Sequence, residues 1–301
     1  MSLQGEFVRQ QARFRDWVSA DGSTGFKAEA GRYHLYVALA CPWSHRTAIV
    51  RKVKGLEDVV GISYIHPYRD ERGWAFAGGE FTDDVNGWDF LSEAYEASAP
   101  GYDGRVSVPV LWDKETARIV NNESAEIIRM LGSEFDEWGD ASVDLYPEDL
   151  RAEIDSLEEW IYSDLNNGVY SAGFAKSQDA YDVAYRRVSA ILPRLEERLA
   201  ERRYLTGERI TEADWRLFVT LVRFDAVYHT HFRCNGVKVA ELPNLWGYTR
   251  DLYQQDGVAE TVAMDEIKRH YYTTHDELNP KRIIPGGGPT HADFMAPHGR
   301  C

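Results

Sequence analysis

The stretch that most constrains this chain runs from Tyr33 to Lys54. An alternating apolar run, Tyr33-His34-Leu35-Tyr36-Val37-Ala38-Leu39-Ala40, feeds directly into Cys41-Pro42-Trp43-Ser44-His45-Arg46. Thr47 to Lys54 then has helical spacing, with Ala48, Ile49 and Val53 on one face. Proline is tolerated in a first helical turn because its missing N–H would have had no intrahelical partner. The cysteine therefore sits where a strand ends and a helix begins. First-turn amides point toward such a sulfur and favour the thiolate, its nucleophilic form. The plainer alternative is a buried structural thiol at a helix start.

The rest of the chain fits around this junction. Residues 1–32 read as an irregular extension bearing Gly22, Gly25 and Gly31. Val59 to Ile65 gives a second strand, so 33–65 is a βαβ unit with parallel strands and a right-handed crossover. A long loop from His66 to about Trp88 is rich in Gly, Asp and aromatics, and loops of that length inside a domain are often functional. A short helix over Leu91–Ala97, a strand over Val106–Trp112, a turn at Asp113–Thr116 and a strand over Ala117–Val120 follow. Asn121 and Asn122 suit the cap of a helix over Ser124–Leu131. This order is thioredoxin-like and occupies 33–135.

Gly132 to Tyr146 is acidic and poor in apolar residues, and 136–146 reads as a linker. Beyond it the pattern is helical throughout 147–278. Pro147 opens one helix carrying Ile154, Leu157, Trp160, Ile161 and Leu165. A second carries Tyr181 through Leu199, with Pro193 expected to kink or break it. Thr211 and Asp214 form a capping signature before a helix from Trp215 to Tyr228, a structural motif with no chemistry assigned. Helices over Leu242–Tyr253 and Val258–Tyr272 complete the domain. The tail, 279–301, holds Pro285-Gly286-Gly287-Gly288-Pro289 and is read as non-helical.

Composition excludes several function classes. A formal charge of −15 argues against nucleic acid or an acidic membrane surface as partner. No segment approaches the roughly 20 apolar residues of a membrane span. Three widely spaced cysteines, Cys41, Cys234 and Cys301, make no disulfide framework and fit a reducing compartment. With no signal-peptide pattern at the start, a cytoplasmic protein is expected. Cys234 reads as a small core thiol, Cys301 as uninvolved. His229 and His231 alternate at a helix end, too weak a signal for a metal, and none is expected.

Two further places complete a ligand site. Val108-Pro109 precedes a strand where a proline of this fold is commonly cis, leaving the neighbouring backbone to pair with a peptide; an edge-strand proline without a role is the alternative. Glu123-Ser124 opens the next helix. Its amides and the Ser124 hydroxyl can hold a carboxylate while Glu123 holds an ammonium group, which together describe a γ-glutamyl head. Taken with Cys41, these residues outline a glutathione cradle. Position 44 is serine, so a disulfide on Cys41 has no resolving partner and an external thiol must release it.

The motifs Cys41-Pro42-Trp43-Ser44-His45-Arg46-Thr47, Gly73-Trp74-Ala75-Phe76, Val108 through Asp113 and Asn122 through Ile128 resemble those of the xi-class glutathione transferases, the glutathionyl-hydroquinone reductases. So do Asn166 through Tyr170 with Ala172-Gly173-Phe174-Ala175, Arg223-Phe224-Asp225 with Tyr228, His231 through Asn235, and Asn279-Pro280 with Ile284-Pro285. The resemblance implies a thioredoxin-like α/β N-terminal domain followed by an all-α C-terminal domain, with the active site in the cleft between them. It implies Cys41 as nucleophile, Trp74, Val108, Pro109, Glu123 and Ser124 as glutathione-binding residues, and Tyr170, Tyr228 and Tyr271 lining the aromatic pocket and acting on ring oxygens. Among seventeen tyrosines, each of the three read alone is more readily a packing residue than a catalytic one. Ser44 stands where relatives often have alanine, and its hydroxyl could hydrogen-bond the thiolate. The implied substrates are glutathione and glutathionylated hydroquinones, and the implied assembly is a homodimer. Rival readings are an omega- or glutaredoxin-like thiol transferase and a non-catalytic module that keeps the fold.

Overall fold

The computed structural model describes residues 4–300, so Cys301 lies outside the described residues. These fall into two compact units. One comprises Gln10–Asp144 with Glu260–Thr274; the other comprises Leu145–Ala259 with the chain up to Arg9 and from His275 onward.

In the first unit two short strands, β1 (Val18–Ser19) and β2 (Phe26–Lys27), pair in parallel within the segment expected to be irregular. Then come β3 (Tyr33–Val37), α1 (Pro42–Val53), β4 (Gly61–Tyr64), α2 (Ser92–Ser98), β5 (Val110–Asp113), β6 (Arg118–Asn121) and α3 (Ser124–Ser133). The sheet order is β4-β3-β5-β6, with β3 and β4 parallel and the other pairs antiparallel. This is the expected βαβ unit followed by a hairpin. Gly61 pairs with His34, and a Cβ there would lie 2.4 Å from the His34 ring, so only glycine fits. That ring is held by Ser63 Oγ at 2.8 Å. β5 begins later than expected, at Val110, leaving Val106 to Pro109 as irregular backbone.

The loop after β4 is pinned from beneath. The buried Asp83 carboxylate accepts from Tyr36 Oη at 2.9 Å and from the amides of Val85, Asn86 and Trp88. The acidic stretch after α3 is likewise tied down. The fully buried Lys54, at the end of α1, donates to Asp136 Oδ1, Asp140 O and Val143 O at 2.7–3.0 Å.

The second unit is helical: α4 (Arg151–Ile161), α5 (Gly168–Gly173), α6 (Gln178–Glu201), α7 (Glu212–Arg223) and α8 (Pro243–Tyr253). α9 (Met264–Thr274) belongs to the first unit, and α10 (His291–Met295) lies in the tail. α6 runs unbroken through Pro193, so of the kink or break expected there the break does not occur. The proline is on the exposed face of the helix. Burial of Val188, Leu192, Leu195 and Leu199 on the other face outweighs a cost of about 3 kcal/mol. α9 starts at Met264 rather than Val258, after a 3₁₀ turn at Ala259–Thr261. α10 corrects the reading of the tail as non-helical. The glycine-proline breaker ends at Pro289, and Thr290 then caps a new helix, its amide donating to Asp293 Oδ2 at 2.8 Å.

The Thr211–Asp214 cap is structural. Asp214 Oδ2 accepts from the Thr211 amide at 2.8 Å, and Oδ1 from Leu205 N and Tyr248 Oη. Its full burial pushes the carboxyl up from the ordinary range. Two single π-helical turns, Tyr162–Asn166 and Phe224–Tyr228, follow α4 and α7. Periodicity in the sequence does not reveal such turns, and they often sit at functional sites.

Candidate active site

Cys41 is the N-cap of α1, half-buried, with extended backbone angles and Pro42 at the first helical position. Its amide bonds Ala38 O and its carbonyl accepts from His45 N, both at 2.9 Å, which fixes the entry to the helix. The sulfur lies 4.0 Å from Val108 O, and the Val108–Pro109 bond is cis. Tertiary packing thus brings Cys41 and Val108 together across 67 residues. Trp74 belongs to the same buried cluster as Val108, against which Cys41 packs.

Trp74 is buried and stacks on His270 of α9, centroids 5.2 Å apart and planes 16° from parallel. His270 Nδ1 is held by Pro67 O at 2.7 Å, and Tyr271, also buried, meets the His270 ring edge-on at 5.4 Å. The Arg69 guanidinium lies 5.2 Å from the Trp74 ring centroid. Burial first, then the like charge of Arg105, pushes Arg69 down from its ordinary value, while the charge of Cys41 acts the other way. The Arg69 cation therefore lies within electrostatic reach of Cys41 in a chain of strongly negative net charge. Arg69 and His270 were not singled out from the sequence. Nothing local marks either one, since their significance comes from lying against Trp74.

Glu123 is the N-cap of α3, its Oε1 accepting from Ala125 N at 3.2 Å, and Ser124 is buried in the first turn. This corrects the expectation that Asn121 and Asn122 cap the helix. Asn121 Oδ1 instead accepts from Glu123 N at 2.7 Å, and Asn122 bonds Phe14 N and Tyr95 Oη. Ser44 also differs from expectation. Its buried hydroxyl has no hydrogen-bond partner among the described residues, so it does not reach Cys41. His45 Nε2, on the residue after Ser44, meets Thr261 Oγ1 at 2.9 Å and ties α1 to the segment that carries α9.

In the other unit Tyr170 and Tyr228 come together, ring centroids 6.0 Å apart. Phe232 stacks on Tyr228 at 5.4 Å and meets Tyr170 edge-on at 5.3 Å. The two π turns set these positions. Asn166, ending the first, donates to Arg216 O and Thr220 Oγ1. Tyr228 ends the second, and the neighbouring Asp225 accepts from the amides of Val239 and Ala240 at 2.7 and 3.0 Å. Asp225, one of the family-like residues near Tyr228, therefore serves to hold its turn. Tyr271 lies in the unit that contains Cys41, Tyr170 and Tyr228 in the other.

Cys234 is buried with Sγ 3.8 Å from Phe232 O, and burial pushes its thiol up to about 12, which suits an inert core thiol. His231 pairs with His275, Nε2 to Nδ1 at 3.2 Å, rather than with His229, and burial holds it down at about 4. Among the described residues no group of three or more His, Cys, Asp or Glu is placed to hold a metal ion, and no helix is long and apolar enough to cross a membrane.

The family model described as "Glutathione S-transferase, N-terminal domain" matches residues 40–134, and that described as "Glutathione S-transferase, C-terminal domain" matches 178–251. The chain is 50% identical to glutathionyl-hydroquinone reductase YqjG of Escherichia coli K12, over 99% of this chain and 93% of that protein. It is 47% identical to glutathionyl-hydroquinone reductase PcpF of Sphingobium chlorophenolicum, over 95% and 91%. Its fold superposes on the glutathione-bound structure of YqjG with a TM-score of 0.92, covering 95% of this chain and 96% of that one. On the xi-class transferase of Natrialba magadii, at 53% identity, the TM-score is 0.93 with 95% and 88% covered.

Proposed function

The chain belongs to the glutathione transferase family, and from that membership we propose that it is a glutathionyl-hydroquinone reductase working through Cys41. Glutathione and the glutathionyl part of the substrate dock along Val108-Pro109. Glu123 and Ser124 at the start of α3 hold the γ-glutamyl head, and Trp74 covers the chain. The observation that supports this reading best is the Cys41 sulfur at a helix N-terminus, 4.0 Å from the Val108 carbonyl and with no cysteine at position 44.

The bond to be broken joins sulfur to a ring carbon, and an aryl carbanion is a poor leaving group. Moving a proton from a ring hydroxyl to the sulfur-bearing carbon gives a keto tautomer, from which that carbon departs as an enolate. Tyr170, Tyr228 and Tyr271 assist the proton transfers at the ring oxygens and carbon. The Cys41 thiolate then attacks the glutathione sulfur. The sulfur–carbon bond breaks, its electron pair restores the aromatic ring, and the hydroquinone leaves after protonation. A second glutathione thiolate attacks the mixed disulfide, releasing oxidised glutathione and the Cys41 thiolate. Two thiols are needed because the protein offers no resolving cysteine beside Cys41.

Mass spectrometry after exposure to a glutathionyl-hydroquinone without excess thiol tests the reading. A glutathione adduct on Cys41 and on no other residue is expected; an unmodified Cys41 overturns it. Turnover on hydroxyethyl disulfide far exceeding that on the hydroquinone conjugate would instead favour a general thiol transferase. The proposal extends to a homodimer in the cytoplasm, supported by family membership and the sparse cysteines, and light scattering tests the assembly.

A further inference from the structure

The segment before β1 runs along the stretch that carries Tyr170. Gln4 O accepts from Ser177 Oγ and Gly5 O from Lys176 N, both at 2.9 Å. Gly5 has a φ of +89°, and a Cβ there would come within 3.1 Å of the Ser177 amide nitrogen, so the two backbones approach as only glycine allows. Exposure alternates along the segment, with Phe7 and Arg9 turned inward and Glu6 and Val8 outward. Phe7 packs on Phe174 at 5.7 Å. Arg9 Nε donates to Asn167 Oδ1 at 2.8 Å, and its guanidinium carbon stands 4.8 Å from the centre of the Tyr170 ring. One side chain from the amino-terminal segment thus holds the residue that opens α5 and covers the aromatic face of a tyrosine three positions on.

We infer that Arg9 is a positioning residue for Tyr170 in the reductase reaction. The inference rests on the reading that Tyr170 exchanges a proton with the hydroquinone ring. A cation over an aromatic face is attracted by the ring's negative quadrupole, and more strongly as negative charge builds on the phenol oxygen. Arg9 therefore stabilises the tyrosine while its proton is on the substrate, and its bond to Asn167 fixes the ring's orientation. Disulfide exchange at Cys41 moves no proton to carbon and does not call on this pair. Other polar rings near Tyr170 include Tyr228 directly and, beyond Phe232 and Phe174, His231 and His275; the contact with Arg9 supplies a positive charge.

The test compares Arg9→Met and Arg9→Lys in the full chain, each with and without Tyr170→Phe, on a glutathionyl-hydroquinone and on hydroxyethyl disulfide. Arg9→Met is expected to lower kcat for the hydroquinone conjugate about tenfold with little change in KM, the factor a contact of this type can supply. Disulfide reduction should hold within about twofold, and Arg9→Lys should restore most of the loss because the charge is kept. In the Tyr170→Phe background, Arg9→Met should cost nothing further. Unchanged kcat in Arg9→Met, equal losses in both assays, or the same factor lost without the tyrosine hydroxyl overturns the role of Arg9 while leaving that of Tyr170 standing. Full reductase turnover in Tyr170→Phe alone overturns the tyrosine's role and this inference with it.

Discussion

The ring of Trp74 lies flat against that of His270, 5.2 Å between centroids, although 196 positions separate them in the chain. A tryptophan in a glycine-bordered loop has no fixed orientation of its own. Here a histidine from α9, itself held by Pro67 O, provides the surface it rests on. His270→Ala removes that surface and about 1 kcal/mol of stacking. We predict a rise of about fivefold in KM for glutathione with kcat largely retained, measured by steady-state kinetics. An unchanged KM would mean that Trp74 takes no part in binding.

Cys41→Ala removes the one sulfur of the protein that the proposed chemistry uses. Reductase turnover should fall by roughly 10³-fold or more, with far-ultraviolet circular dichroism unchanged because the side chain is only half-buried. Cys234→Ala should leave turnover close to wild type, since that thiol is buried and held protonated. The opposite pattern would move the nucleophile to position 234.

Glu266 on α9 has one buried carboxylate oxygen without a hydrogen-bond partner, and burial, then the charge of Glu80, raises it to about 7. Between its unfolded value near 4.5 and about 7 the folded protein binds the extra proton, so this group's contribution to stability is greatest below 4.5 and is lost as pH rises through 7. Glu266→Gln should therefore stabilise the protein at pH 8 by about 1–2 kcal/mol, allowing for partial exposure, and by little at pH 5. Urea unfolding at both pH values reads the difference. Equal effects at the two pH values would place the perturbation elsewhere.

Lys54 is the buried pin of the stretch from Asp136 to Val143. Lys54→Met keeps most of the packing but leaves two backbone carbonyls without their donor, at a cost of about 1–3 kcal/mol. The melting temperature should drop while the KM for glutathione stays within about twofold, because the pin lies at the far end of α1 from Cys41. A large KM change with no loss of stability would refute the structural role.

The local placement of several candidate-site residues was legible because its signals are local. Cys41 could be placed because strand alternation, an adjacent proline and helical spacing all act within a few residues of it. Val108-Pro109 and Glu123-Ser124 were legible for the same reason, as a proline before a strand and a helix opening. The cap at Asn121–Asn122 was misread because several adjacent polar residues satisfy the same local rule, and the choice among them fell to Phe14 and Tyr95, which draw Asn122 away. Pro193 does not break α6 because the rule for interior prolines does not include the apolar face that the helix buries.

The sequence alone determined the order of the main elements and the place of Cys41 at a helix opening with serine rather than cysteine at position 44, since periodicity, capping and residue chemistry operate over one or two turns of chain. Only the tertiary structure decided that His270 supports Trp74, that π turns deliver Tyr228 and Asn166, and that Arg9 stands over Tyr170 and bonds Asn167 from 158 residues away. Such meetings are set by how whole elements pack, and packing depends on the summed burial of many side chains, which no short stretch of sequence encodes.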